Sequence, residues 1–223
     1  DFTINAIAYS PKLGEIRDPF GGRDDLERRI IRAVGDAEAR MREDRLRALR
    51  AIRFAARFGF AIDDATRRAI VNSAPHLGRL SPERVKQELD KTMEHGRPPG
   101  VAVEIWKESG AFATLIPALD SVSSRALRVP DCLAVPGLPK RPARRALRFA
   151  GLLWSLTVKA AVSVLTTLRA SKVEIQTVAS LVERWHKLGG AMADALTSAQ
   201  PVGESDVRRW VATIGRVHIG MFL

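Results

Sequence analysis

Glu43-Asp44-Arg45-Leu46-Arg47-Ala48-Leu49-Arg50-Ala51-Ile52-Arg53-Phe54 is the stretch on which the reading of this chain turns. One carboxylate and three arginines stand at steps of three: Asp44, Arg47, Arg50 and Arg53. On a helix a step of three falls about 60° short of a full turn, so successive members touch and the four form a slowly winding polar stripe. Asp44 can accept and Arg47 can donate hydrogen bonds in one plane, as a base edge does. Arg50 and Arg53 extend that edge with fixed positive charge suited to phosphate. Taken alone, the same spacing also fits the solvated face of an ordinary helix.

The flanking sequence sets the stripe in a mostly helical chain. The pattern from Asp36 to Phe58 reads as one helix closed by Gly59. Upstream, Asp1 to Tyr9 alternates apolar Phe2, Ile4, Ala6 and Ala8 with Thr3 and Asn5. That is the period of a half-buried strand, with Asp1, Thr3 and Asn5 on one face. Pro11-Lys12-Leu13-Gly14 predicts a turn, and Glu15 to Asp18 a returning strand, so the opening is a hairpin. Pro19 stops it, Gly21-Gly22 reverses the chain into a short helix near Arg23 to Arg29, and Ile30 to Val34 is a last strand.

Downstream, Asp63 caps a helix to Ser73, and Ser81-Pro82-Glu83 opens another to about His95. Val101 to Ser109 is closed by Gly110. Residues 117–142, rich in Ser, Pro and Gly, read as a linker. Helices follow over 143–168 (broken near Ser155), 171–188 and 205–214. The expected fold class is mainly α: a short β-containing part over 1–35, helices over 36–116, the linker over 117–142, and further helices over 143–223, the parts that the resemblance described below implies to be head, neck, and body and tail.

Composition narrows the partners. Thirty-six Lys and Arg against 25 Asp and Glu in 223 residues give a net charge of +11, and the pI is near 10.7. Such a field concentrates polyanions, nucleic acid first among them. Arginine excess also follows from a GC-rich genome. The single cysteine, Cys132, excludes an intrachain disulfide and a multi-cysteine metal site, and fits a reducing cytoplasm. The longest apolar run, Phe149 to Leu168, is interrupted by Ser155, Thr157, Lys159 and Ser163, so it predicts buried helices and no membrane span.

Other constellations carry less. Asp24-Asp25 and Asp63-Asp64 are adjacent pairs at helix starts, which suits caps better than paired metal carboxylates. His76, His95, His186 and His218 stand apart, with no His-Asp dyad. Trp106, Trp154, Trp185 and Trp210 all lie in helical patterns and are expected in the core. Arg141, Arg144, Arg145 and Arg148 fall along one helix face, where an RNA backbone and plain solvent are equally good partners.

Four stretches in order, Asp1-Phe2-Thr3-Ile4-Asn5-Ala6, Asp18-Pro19-Phe20-Gly21-Gly22-Arg23-Asp24-Asp25-Leu26, Glu43-Asp44-Arg45-Leu46-Arg47 and Ser81-Pro82-Glu83-Arg84, resemble successive motifs of the class II tRNA nucleotidyltransferases. These are the CCA-adding enzymes, which share a family with bacterial poly(A) polymerases. The resemblance is close over the first hundred residues, and beyond Pro117 only a helical pattern agrees. It implies a chain comprising the end of a nucleotidyltransferase head and its helical neck and body. Asp44 and Arg47 would read the Watson–Crick edge of incoming CTP or ATP, and Arg50 and Arg53 would take phosphate or reinforce the site. Asp1 and Asn5 belong to the ribose-recognition motif, Asp18 to Leu26 would couple head to neck, and Glu83, Arg84 and Glu88 would brace the neck.

The family's metal-binding aspartates and the Mg2+ they hold are expected upstream of Asp1, so no catalytic or metal-ligating residue is assigned within these residues, and the piece alone is expected to be inactive. The implied reaction adds C and A to the tRNA 3′ end, with tRNA and nucleotides as partners. Poly(A) addition is the nearest alternative, and a non-catalytic RNA-binding module is the alternative of another class.

Overall fold

A computed structural model describes residues 1–94, 98–133 and 143–214, without the side chains of Cys132, Ala143 and Arg144. The opening hairpin forms: β1 (Ala8–Ser10) pairs antiparallel with β2 (Glu15–Arg17), Tyr9 opposite Ile16. Helix α1 (Gly22–Arg28) starts where Asp18 accepts hydrogen bonds from the Gly22 and Arg23 amides at 2.7 and 2.8 Å.

The expected long strand at the start does not form. Phe2 makes one antiparallel bridge to Ala33, and Thr3–Asn5 closes into a 3₁₀ turn. The reason is visible at Thr3, which is buried and donates its hydroxyl to the buried Asp25 carboxylate at 2.7 Å. Asp1, Thr3 and Asn5 therefore do not share a face: Asp1 is half-buried, Thr3 buried and Asn5 exposed.

The predicted helix over 36–58 is two helices, α2 (Ala37–Glu43) and α3 (Leu46–Phe58). The break falls on Asp44, whose backbone is extended (φ −145°, ψ 104°) and whose Oδ1 accepts from the Leu46 amide at 3.1 Å. Short polar side chains that bond to nearby amides compete with the helical ladder in this way. β3 (Ile30–Ile31) and β4 (Ala61–Ile62) then pair in parallel on either side of α2 and α3.

Helices α4 (Asp64–Ser73), α5 (Pro82–Glu94), α6 (Gly100–Glu108) and α7 (Ala111–Leu115) follow, α4 capped by Asp63 through the Thr66 amide. The stretch expected as a linker is helical in its described part: α8 (Pro117–Asp120), α9 (Ser124–Leu127) and α10 (Val129–Cys132) bury Leu119 and Leu127 completely. The rest of it, 134–142, lies outside the described residues.

Helices α11 (Ala143–Leu153), α12 (Val158–Thr167), α13 (Lys172–Thr197) and α14 (Glu204–Ile214) complete the chain. The break near Ser155 is as expected. α13 continues past the predicted Leu188 and opens with a reciprocal Ser171–Glu174 capping box. One apolar core runs from Phe2 to Val182, and Met192, Trp210 and Ile214 form a second small one. Trp106 and Trp210 are core residues. Trp154 is half-buried, its indole donating to the Ala126 carbonyl at 3.1 Å, and Trp185, edge-on to Trp154, is 36% exposed, at odds with the core placement expected of it. Among the described residues no helix is long and apolar enough to cross a membrane.

Candidate functional site

Asp1 and the face of α3 meet. Arg47 Nε donates to Asp1 Oδ1 at 3.0 Å, and the Arg50 guanidinium lies 2.5 Å from Asp1 Oδ2. Arg47 NH1 is held by the Arg40 carbonyl and Glu43 Oε2, both at 2.7 Å. Among the described residues, Arg47 NH2 is the nitrogen outside these bonds. A guanidinium fixed through two of its nitrogens presents the third with little entropy left to lose. Glu43 is held below its ordinary pKa, chiefly by the hydrogen bond from Arg47, with the charges of Arg40 and Arg47 adding to it.

Asp44 is joined to this cluster through its backbone, its carbonyl accepting from the Arg47 amide at 3.0 Å. One oxygen is tied to the Leu46 amide, and the other accepts from Arg84 NH2, on α5, at 2.9 Å. Each oxygen keeps a second lone pair for an incoming donor. The arrangement thus sets a fixed acceptor beside a fixed donor, both partly exposed (Asp44 34%, Arg47 16%). That is the minimum needed to match a heterocycle edge. Arg84, which sequence reasoning treated only as a brace, reaches the site itself; the acid–base match across two helix starts was its signal.

Arg53 departs from the expected stripe. It is 5% exposed, its Nε lies 2.5 Å from Glu88 Oε2, and its guanidinium lies 4.1 Å from the Phe54 ring centre. It is a brace between α3 and α5 and offers no surface to phosphate. Asn5 is exposed and joins none of these contacts.

The described members of the second arginine cluster, Arg145 and Arg148, do not form a basic surface. Arg148 is fully buried and donates to the Met93 carbonyl at 2.9 Å. Arg145 is tied to Glu94 at 3.0 Å and Glu174 at 2.9 Å, beside Lys86 and Asp90. This knot joins α5, α11 and α13. Burial pushes the Asp90 carboxyl upward despite Lys86 and Arg145. Arg141 and the Arg144 side chain lie outside the described residues. For these two the physical reason is that α11 packs against α5 and α13, so Arg145 meets acids from both helices and Arg148 a carbonyl of α5.

The Mg2+ implied by the resemblance finds no fitting donors. Among the described residues no group of three His, Cys, Asp or Glu could hold a metal ion. The nearest carboxylates are engaged: Asp25 by Thr3 and Arg32, Asp63 by Arg32 and the Thr66 amide, Asp1 by Arg47 and Arg50.

A nucleotidyltransferase head segment joined to a helical body is the class this architecture defines. Residues 1–32 match the poly A polymerase head domain, and residues 59–122 match the probable RNA- and SrmB-binding site of polymerase A. The chain belongs to the family that joins poly(A) polymerases with CCA-adding enzymes. It is 45% identical to the CCA-adding enzyme of Geobacillus stearothermophilus over 148 residues, 66% of this chain and 35% of that enzyme. The match therefore spans about a third of that relative's length.

Among solved structures, the Bacillus stearothermophilus CCA-adding enzyme in complex with CTP superposes with a TM-score of 0.53 at 29% identity, over 99% of this chain and 68% of that one. The Thermotoga maritima CCA-adding enzyme complexed with tRNA gives 0.68 at 23% identity, over 100% and 57%, a likeness of fold.

Proposed function

We propose that this chain forms the nucleotide-selecting neck of a template-independent tRNA nucleotidyltransferase, which adds C and A to the tRNA 3′ end from CTP and ATP and releases pyrophosphate. The observation that carries the reading is the fixed acceptor–donor pair, Asp44 held by Arg84 beside Arg47 held by Asp1 and Glu43. Cytosine offers an exocyclic amine donor beside ring and carbonyl acceptors, and adenine an amine beside a ring acceptor. Asp44 takes the amine and Arg47 NH2 the acceptor. Uracil and guanine present a carbonyl where Asp44 needs a donor, leaving that acceptor unpaired once the base covers it, at about 1–3 kcal/mol per group.

Arg50 is the cation placed for a phosphate, since its partner Asp1 is shared with Arg47. Arg53 and Asn5 drop out of the nucleotide set, and Arg145 and Arg148 out of the RNA set. The RNA surface is better sought within residues 59–122. The phosphoryl-transfer step itself needs metal carboxylates that the described residues do not provide, and no step is assigned to it. The single cysteine is in keeping with the cytoplasm as the working compartment.

Polyadenylation is a second reading, favoured by the descriptions of both matched domains. The test is nucleotide addition by the full-length protein to tRNA transcripts that end before CCA, with CTP and ATP given singly and together. Two C residues followed by one A establish CCA addition. A long A tail from ATP alone establishes a poly(A) polymerase. RNA binding without incorporation leaves only a binding module.

A further inference from the structure

Arg32 lies outside the nucleotide cluster, yet it ties together the elements that place Asp1. Its Nε donates to both oxygens of Asp25, at 3.3 and 3.1 Å, and its NH1 donates to Asp63 Oδ1 at 2.6 Å. Asp25 is 4% exposed and also accepts the Thr3 hydroxyl at 2.7 Å. Asp63 Oδ2 accepts the Thr66 amide at 3.2 Å, and the Thr66 hydroxyl accepts from the Ala33 amide at 3.0 Å. The backbone repeats the tie: Thr3 N donates to Arg32 O at 2.9 Å and Val34 N to Asp1 O at 3.2 Å. One guanidinium thus bridges α1 and the cap of α4, and the segment it sits on, directly after β3, is hydrogen-bonded through its backbone to Asp1 and Thr3.

We infer that Arg32 is a positioning residue for nucleotide selection, holding Asp1 at the distance from which its carboxylate locks Arg47 and Arg50. The inference rests on the nucleotide reading of Asp44 and Arg47. It goes beyond that reading because Arg32 touches no member of the pair. The bridge also crosses from the region matching the polymerase head, which ends at residue 32, to the region matching the RNA-binding site, which begins at residue 59. A lysine has the charge but not the fork, so it cannot donate to Asp25 and Asp63 together in this geometry. If Asp1 shifts, Arg47 loses its Nε partner and its third nitrogen is no longer aimed.

The experiment is steady-state addition by the full-length protein to a tRNA transcript lacking CCA, comparing wild type, Arg32→Lys, Arg32→Gln and Asp63→Asn with a destabilised control, Leu165→Ala, in the remote α12. Each variant is assayed well below its own melting temperature. The expected result is a rise of about tenfold in the KM for CTP and a similar fall in preference for CTP over UTP for Arg32→Gln, with kcat little changed. Arg32→Lys should fall between Gln and wild type, and Leu165→Ala should keep wild-type KM and preference.

Unchanged KM and preference in Arg32→Gln, or equal losses in Leu165→Ala, would reduce Arg32 to a stabilising salt bridge. A wild type that incorporates CTP and UTP equally well would overturn both the nucleotide reading and the role given to Arg32. Selective wild type with indifferent variants would overturn the latter alone.

Discussion

Arg53 on α3 and Glu88 on α5 form an ion pair sealed from solvent, Nε to Oε2 at 2.5 Å with side chains 6% and 2% exposed. Lys91 adds a second cation to the same carboxylate at 2.9 Å. Burial alone raises a carboxyl pKa, but the hydrogen bonds and charges of Arg53 and Lys91 outweigh it and hold Glu88 below its ordinary value. The pair therefore locks the two helices whose starts carry Asp44 and Arg84, so the reading pair depends on it without including it.

That sign fixes a pH dependence. A lowered carboxyl pKa contributes stability that is fully present above the unfolded value, about 4.3 for glutamate, and is lost as pH falls through the lower folded value. Glu88→Gln leaves Arg53 buried without its counter-charge, and we expect it to cost about 3–5 kcal/mol at neutral pH. Urea unfolding from pH 7 down to pH 3 should show the variant far less stable at pH 7, with the gap to wild type narrowing below about pH 4. A gap that stays constant through that window would show that Glu88 is not the ionised partner.

Asp44 should separate selection from binding. Asp44→Ala removes the bond to the Leu46 amide, worth about 1 kcal/mol as a cap, and a largely exposed pair with Arg84 that adds little. Stability should drop modestly. Preference for CTP over UTP should fall about 10- to 100-fold, the cost of one mismatched group, while tRNA affinity stays near wild type. Competitive incorporation and tRNA binding on the same preparation check this. Equal loss of both would place Asp44 in the RNA surface.

Helix starts and stops were legible because they are local. Ser81-Pro82, Asp63 and the Ser171–Glu174 box each place a cap within four residues of the amides it serves. The adjacency of Arg47 and Arg50 was legible for the same reason, since both lie on α3 and turn to Asp1, whereas Asp44 falls in the break before it. What spacing does not show is the partner from elsewhere. Glu88 lies 35 residues from Arg53, Met93 lies 55 from Arg148, and β4 lies some thirty residues from β3. Each inward arginine looked like surface charge until an acid or carbonyl from another helix appeared beside it. The helix break at Asp44 had a local signal, a short carboxylate two residues before Leu46, but the uninterrupted arginine steps masked it.

Gly21 and Gly22 sit side by side and should respond differently. Gly21 has φ +67° with open space where a Cβ would stand, so Gly21→Ala should cost about 1–2 kcal/mol of backbone strain. A Cβ on Gly22 would lie 2.2 Å from the Thr3 carbonyl oxygen and 2.9 Å from the Ile7 side chain, so the Thr3 backbone would have to shift. Gly22→Ala should push Thr3 away from Asp25 and cost about 3 kcal/mol or more, at the upper end of overpacking. Thermal unfolding of the two variants checks the order, and a milder effect at Gly22 would mean the turn gives way more easily than its contacts suggest.

Arg148 provides the sharpest contrast with what its sequence context suggested. An arginine on an RNA-facing surface releases counterions on binding, and its removal lowers the salt dependence of affinity by close to one charge. Arg148 has no exposed surface, and its NH1 is bonded to the Met93 carbonyl near the end of α5. Arg148→Ala should therefore leave the slope of log Kd against log salt for tRNA unchanged. Its effect should be on stability, about 2–4 kcal/mol from the cavity and the orphaned carbonyl together. Arg148→Met, which refills the volume but not the hydrogen bond, should recover part of that loss. A reduced salt slope in either variant, at unchanged melting temperature, would return Arg148 to the RNA surface.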